Sequence, residues 1–260
     1  MGKYNSSVYR LKPLFDIISN EQNIVEMLNL LLSTVALDEE KSLGEYCIEG
    51  QVYDIRYDGA KDGEKPLRPK FKHLIAILDY LGKQNPKLLC DRFCCELKDL
   101  DIRITTAKED IRQMYLSDWP LPKHKAVMEG NSFPDVYIET DSEIIVIEAK
   151  WTESKTTTQT TYLENRNQLA RHIQAALVLG EKTNKRVISF YIVADRFLKD
   201  NPEIITRHGF EHSLSNETID IGDKQDIIEG YFGYTTWERL QEIIEIKFLG
   251  KQDIDSMMSI

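Results

Sequence analysis

Two short apolar runs separated by two residues constrain this chain more than any other feature. Val136-Tyr-Ile-Glu139 and Ile144-Ile-Val-Ile-Glu-Ala149 flank Asp141-Ser142 and are rich in β-branched residues, so they predict two strands joined by a tight hairpin. Asp-Ser is not the favoured Asn-Gly loop. If Thr140 pairs with Glu143, the register sets Asp135 opposite Glu148. Opposed residues of an antiparallel pair hold their Cβ atoms roughly 4.5–5.5 Å apart on one face. Lys150 joins that face because strand side chains alternate with period two. A loop changed by one residue would set Asp135 opposite Ile147 and scatter the group.

Glu148 and Lys150 thus interrupt an otherwise apolar strand, where ionised groups are costly unless paired. Two carboxylates aimed at one spot repel, and a raised pKa or a bound cation relieves them. Oxygen donors suit Mg²⁺ or Mn²⁺, which keep several waters and take phosphate oxygens as further ligands. The carbonyl of Ala149, between the two charged residues, is another candidate donor. A lysine beside such an ion holds the attacking water or the phosphate and offsets developing negative charge. The plain alternative is a structural Asp–Lys–Glu ion-pair network at a strand end.

Around this hairpin the pattern is that of an α/β chain. Ile24, Met27, Leu28, Leu31 and Leu32 recur at helical spacing and, with Ser19 or Asn20 as N-cap, predict a helix over about 20–36. Tyr46 to Tyr57 alternates as a strand or hairpin with Gly50 as its turn. Residues 58–69 are loop-like. Helices are predicted over Phe71 to Leu81, Pro86 to Leu97, and from a capping box at Thr105-Thr106 with Glu109. This stretch fits a helix-turn-helix-type insertion or a small packing subdomain equally well. Thr158 to Leu179 predicts one long helix, Val187 to Ala194 a buried strand, and Trp237 to Ile246 a last helix. The order implies a sheet covered on both faces.

The 260 residues, 42% hydrophobic and 29% charged, describe a folded chain with room for one large core and an insertion. No apolar run reaches the roughly 20 residues of a membrane helix, so no membrane partner is expected. With no leader signal, a cytoplasmic location follows as the default. Cys47, Cys90, Cys94 and Cys95 form no Cys-x-x-Cys pair and are expected as buried thiols. His208 and His212 are four apart, but Gly209 and Ser213 suggest a loop. A net charge of −10 opposes a uniform nucleic-acid-coating surface yet leaves room for a local groove. The most basic window contains Lys61, Lys65, Arg68, Lys70 and Lys72; Lys123-His124-Lys125 is a smaller patch.

Pro134-Asp135, twelve residues, then Glu148-Ala149-Lys150 at the end of an apolar strand resembles the signature of the PD-(D/E)XK nuclease superfamily. So does the helix that follows, Asn165-Arg-Asn-Gln-Leu-Ala-Arg-His172. It is similar to the glutamine-bearing helix beside the site, with His172 where several members have tyrosine. Ser19-Asn-Glu-Gln-Asn-Ile-Val-Glu26 resembles the family's first helix.

The resemblance implies a restriction-endonuclease-like mixed β-sheet flanked by helices. Residues 1–58 would give its first helix and strand, 66–122 an inserted helical subdomain and 128–260 the catalytic core. It implies a metal-dependent nuclease, with DNA ahead of RNA as substrate, acting in restriction, defence or repair. The products would be a 5′-phosphate and a 3′-hydroxyl. Asp135, Glu148, the Ala149 carbonyl and Glu21 (or, second, Glu26) would hold Mg²⁺ or Mn²⁺. Lys150 would act on the nucleophile or phosphate, and Gln168 would stand behind it, unless it is simply a helix-surface residue. Arg166 and Arg171 are expected to meet a phosphate or a nearby carboxylate, and Lys70 and Lys72 to contact nucleic acid. Trp151 is read as stacking on a base or as packing. A homodimer would suit double-strand cleavage. The competing expectation is a non-catalytic nucleic-acid-binding or scaffold protein that retains the fold.

Overall fold

A computed structural model describes residues 7–20, 22–37, 41–42, 46–117, 125–153, 160–204, 206–215 and 224–246. A π-helical turn, Ser7–Leu11, leads into α1 (Lys12–Asn20) and α2 (Ile24–Ser33). Two short strands, β1 (Ala36–Leu37) and β2 (Lys41–Ser42), precede β3 (Val52–Tyr57). Three helices follow: α3 (Phe71–Gln84), α4 (Pro86–Phe93) and α5 (Leu100–Leu116). The hairpin is β4 (Val136–Thr140) and β5 (Glu143–Ala149). After it come α6 (Gln168–Thr183), β6 (Arg186–Val193), α7 (Asp195–Asp200), α8 (Arg207–Ser215), α9 (Lys224–Glu229), β7 (Tyr231–Thr236) and α10 (Trp237–Ile243).

The strands form one seven-stranded mixed sheet in the order β2-β1-β7-β6-β5-β4-β3. The β5–β6 and β6–β7 pairs are parallel and the rest antiparallel. Helices cover both faces, as an α/β chain with continuous apolar central strands requires. Ile145, Ile147 and Ala149 face a core built with Leu14, Phe15, Leu28 and Leu31 of α1 and α2. Ile144 and Val146 face the opposite core, against Leu169, Ala170 and Ile173 of α6. A third cluster, with Leu74, Ile77, Leu100 and Ile111, is the insertion's own, and Ala126 to Met128 pack into it.

The hairpin register is Val136↔Ile147 through Glu139↔Ile144, which is the Thr140–Glu143 register. Side chains stabilise the Asp141-Ser142 turn in place of an Asn-Gly conformation. The Thr140 hydroxyl accepts from the Glu143 N–H at 2.9 Å and from Ser142 at 3.3 Å. Asp141 accepts from the Gln51 N–H at 2.6 Å and from the Tyr53 hydroxyl. Gly50, at φ +91°, lies so close to Asp141 that a side chain there would collide with it. The turn is thereby tied to the start of β3.

Several local expectations are corrected. The helix expected from residue 20 starts at Ile24, because α1 already occupies Lys12–Asn20. Strand pairing begins only at Val52; Ile48 is instead bracketed by the Asn29 side chain, which bonds both its N–H and its C=O. Thr105 and Thr106 do not cap: α5 begins at Leu100 and both hydroxyls bond back to Asp101 and Ile102 carbonyls. The long helix expected from Thr158 starts at Gln168, where Asn167 accepts from the Ala170 N–H at 3.0 Å; residues 154–159 lie outside the described residues. His208 and His212 sit on a helix, α8, anchored by buried Phe210 and Leu214. The cysteines are free, with Cys47 and Cys94 exposed and Cys90 and Cys95 half-buried. Cys94 takes the left-handed C-cap of α4 at φ 54°, which keeps it out of a core. Among the described residues no helix is long and apolar enough to cross a membrane.

Gly233, in β7, has φ +100°, and a Cβ there would land on the Ala36 carbonyl of β1. Gly233→Ala is expected to lower unfolding stability by about 1–3 kcal/mol, read by urea denaturation. Wild-type stability would contradict the close β1–β7 approach.

Candidate active site

Alternation along the strands decides which face the charged residues share. Glu148 follows Ile144 and Val146 on the face covered by α6, and Tyr137, two residues after Asp135, packs into the same core. One pair beyond the last ladder position, Asp135 therefore stands across from Glu148, and its Oδ2 accepts the Ala149 N–H at 2.7 Å. The Lys150 ammonium lies 2.6 Å from Glu148 Oε1 and donates to Gln168 Oε1 at 3.4 Å. Its backbone is held from two sides, N–H to the Ile192 carbonyl at 2.8 Å and C=O from the Trp237 indole at 3.0 Å. Gln168 is the first residue of α6, so the Asn167 cap sets where its side chain begins. One turn on, His172 Nε2 lies 3.0 Å from Glu148 Oε2, while Nδ1 lies 2.6 Å from Ser132 Oγ.

These groups are enclosed: Glu148 is 1% exposed, His172 0% and Lys150 8%. Burial raises the Asp135 pKa well above its ordinary value, and the Glu148 charge adds to this; the Ala149 N–H and Lys150 oppose it. Burial also pushes Glu148 up, but the charge of Lys150 and the His172 bond outweigh it and hold Glu148 below the usual range. Lys150 is displaced upward because Glu148 outweighs its desolvation. Burial lowers His172 against the pull of Glu148. Burial and the Glu148 charge thus favour the neutral form of Asp135 beside the Glu148–Lys150 ion pair.

Two further acids bear on the centre and were not singled out in the sequence. The pKa of Glu64, in the loop after β3, is raised by burial and by the charges of Asp58 and Glu148. The Asp58 N–H donates to the Asp135 carbonyl at 3.0 Å. Their stretch reads only as a charged loop, with no periodicity to aim either acid.

The remaining candidates are dispersed. Glu21 lies outside the described residues, as do Lys123 and His124. Glu26 is exposed in the first turn of α2, bonded by the Asn23 side chain. Of the two partners open to Arg166, it takes the carboxylate: 2% exposed, it holds Glu129 through two bonds of 3.2 Å and Gln174 through one of 2.8 Å. Arg166 is thus internal and not a surface contact for nucleic acid. Arg171, half-buried on α6, feels Glu129 and Glu148, and its enclosed Nε has no hydrogen-bond partner. Lys70 pairs with Glu181 at 3.4 Å and Lys72 is exposed on α3. Within the basic window, Lys65 binds Asp54 and Arg68 reaches the Met114 carbonyl. Trp151 is buried beneath Arg10, whose guanidinium lies 4.3 Å from the ring centroid, so it packs and is not open to a base.

Among the described residues no three histidine, cysteine or carboxylate side chains are gathered tightly enough to form a ready-made metal cage. The donor set still fits one kind of ion. Two carboxylates from facing strands, Glu148 Oε1 left without a well-formed hydrogen bond, and backbone oxygens suit a hard cation that keeps several of its waters. No family model, curated protein or solved structure matches the chain.

Two outcomes follow. A carboxyl whose folded pKa is raised binds its proton more tightly in the fold, so it costs stability as pH rises from the unfolded pKa through the folded one. Asp135→Asn, whose amide oxygen still accepts the Ala149 N–H, should therefore melt higher than wild type at about pH 8 in chelator. It should lose that advantage near pH 3, where Asp135 is protonated in both states; a lower melting point at pH 8 would refute the assignment. Arg166→Ala strands buried Glu129 and should cost roughly 3–5 kcal/mol of stability. A variant of unchanged stability would put Arg166 back on the surface.

Proposed function

We propose that the chain is a divalent-metal-dependent nuclease of the restriction-endonuclease-like class, hydrolysing phosphodiester bonds in nucleic acid, with DNA the first candidate substrate. One observation carries this reading: the hairpin register sets Asp135 across from Glu148 on the α6-covered face, with Lys150 between them and Gln168. An ion-pair network needs one acid for one lysine, and a second buried acid is then a cost without return. A metal site uses both.

Asp135, Glu148 and the Ala149 carbonyl would hold Mg²⁺ or Mn²⁺, which supplies Lewis acidity at the scissile phosphate when bound. Because its surroundings favour the neutral form of Asp135, holding a cation there would call for its carboxylate form. Lys150, released from Glu148 Oε1, turns its ammonium to the phosphate or the attacking water and offsets the charge that develops there. Gln168 accepts from that ammonium and limits where it can swing. Arg171 lies on the same helix and feels the charges of Glu129 and Glu148.

The second reading is a non-catalytic scaffold. The 2.6 Å contact of Lys150 with Glu148 favours it, because it satisfies the carboxylate charge without metal. Incubation with plasmid, single-stranded DNA and RNA in Mg²⁺ or Mn²⁺ separates the two. Cleavage is expected with metal, to vanish in chelator, and to fall roughly 100-fold or more in Lys150→Ala and Asp135→Ala. Cleavage that survives both substitutions, or no cleavage of any of the three under either metal, would sink the nuclease reading.

A further inference from the structure

Behind the two acids lies a buried pair that the hydrolytic chemistry does not use directly. Ser132 and His172 are both fully enclosed, so neither is open to a polymer substrate. Yet they form a continuous line into Glu148: Ser132 Oγ to His172 Nδ1 at 2.6 Å, and His172 Nε2 to Glu148 Oε2 at 3.0 Å. An ionised carboxylate only accepts, so the proton of this second bond belongs to Nε2. The ring is then oriented from its other nitrogen by Ser132. Ser132 is itself immobilised by the backbone, donating to the Leu67 carbonyl at 2.7 Å and accepting from the Leu67 N–H at 2.8 Å.

The consequence falls on one oxygen. With Oε2 engaged by the imidazole, Glu148 cannot rotate freely, and Oε1 is the atom left on the Lys150 side, without a well-formed hydrogen bond. A buried histidine at this position also departs from a plain core reading, since an apolar side chain would fill the space without any polar atom to satisfy. Hydrogen-bonded groups behind a ligand fix its rotamer and tune its affinity for a cation.

We propose that Ser132 and His172 are positioning residues that lock the Glu148 carboxylate with Oε1 turned toward the cation site. The proposal rests on the metal-dependent reading above, and it extends the functional set to a β-bridge residue and a helix residue that never touch substrate. His172→Gln retains an amide N–H that reaches as Nε2 does, while His172→Leu removes the donor.

The test is Mn²⁺ binding by calorimetry on wild type, Ser132→Ala, His172→Leu, His172→Gln and Asp135→Ala, each first checked by thermal unfolding. Affinity should fall about 10- to 100-fold in His172→Leu, fall less in Ser132→Ala, and recover in His172→Gln. If His172→Leu does not fold, the Ser132→Ala and His172→Gln isotherms carry the comparison. In metal-free wild type, ¹⁵N-edited spectra should show an exchange-protected proton on His172 Nε2. Wild-type affinity in Ser132→Ala and His172→Leu, or equal loss in the Leu and Gln variants, would overturn the positioning role and leave the metal reading intact. A ring protonated on Nδ1 alone would do the same. Absence of Mn²⁺ binding in wild type and Asp135→Ala alike would overturn the metal reading and this proposal with it.

Discussion

The register of one hairpin sets the position of nearly every group in the candidate site. Asp135 and Glu148 come from segments joined by only Asp141 and Ser142, and a slip of one residue would send one acid to the α1–α2 face. The turn is accordingly over-determined. Thr140 bonds the backbone across it, Asp141 reaches to Gln51 and Tyr53, and the close approach of Gly50 leaves β3 little room to shift. Two residues of loop are thus held by contacts from three segments.

What the register assembles is electrostatically unfavourable by design of the fold, in the sense that an apolar strand end would be more stable. Glu148 and Lys150 neutralise each other at close range, but the nearest neighbour of that pair is another acid whose ionisation burial and Glu148 both resist. Glu64 and Asp58 add to the same negative field. Structural ion pairs buried in proteins tend to balance their charges and satisfy every lone pair. Here a second acid, Asp135, stands beside the pair, and the Lys150 ammonium lies 2.6 Å from Glu148 Oε1.

The hairpin and the trio of Asp135, Glu148 and Lys150 were legible because period-two alternation and a two-residue loop leave few registers open. The helix carrying Gln168 was also legible, though not its start, since the irregular stretch before Asn167 has no periodic signal. For Arg166 a carboxylate was one of the two partners read, whereas the contacts of Glu64 and Ser132 were not legible. Arg166 looks like a surface cation on a polar segment, and only the tertiary placement of Glu129, thirty-seven residues earlier, shows that it is internal. Glu64 sits in a window whose lysines dominate its composition. Ser132 is bridged to Leu67 across the entire insertion, a pairing that no local pattern encodes. β7 and the small helices before it were also missed; β7 is placed by its parallel pairing with β6.

The same helix connects the site to the insertion. Arg166 stands just before the Asn167 cap of α6 and is clamped by Glu129, and His73 of α3 lies 3.4 Å from that same carboxylate. The Arg166 charge, with the His73 contact, outweighs burial and holds Glu129 far below the ordinary carboxylate range. Gln168 and His172 follow on α6 within one turn and a half. The insertion therefore packs against the very residues that fix where α6 begins, and α6 in turn fixes Lys150 and Glu148. The rigid hairpin and the capped helix thus divide the work, one setting the distance between the acids and the other setting the groups that face them.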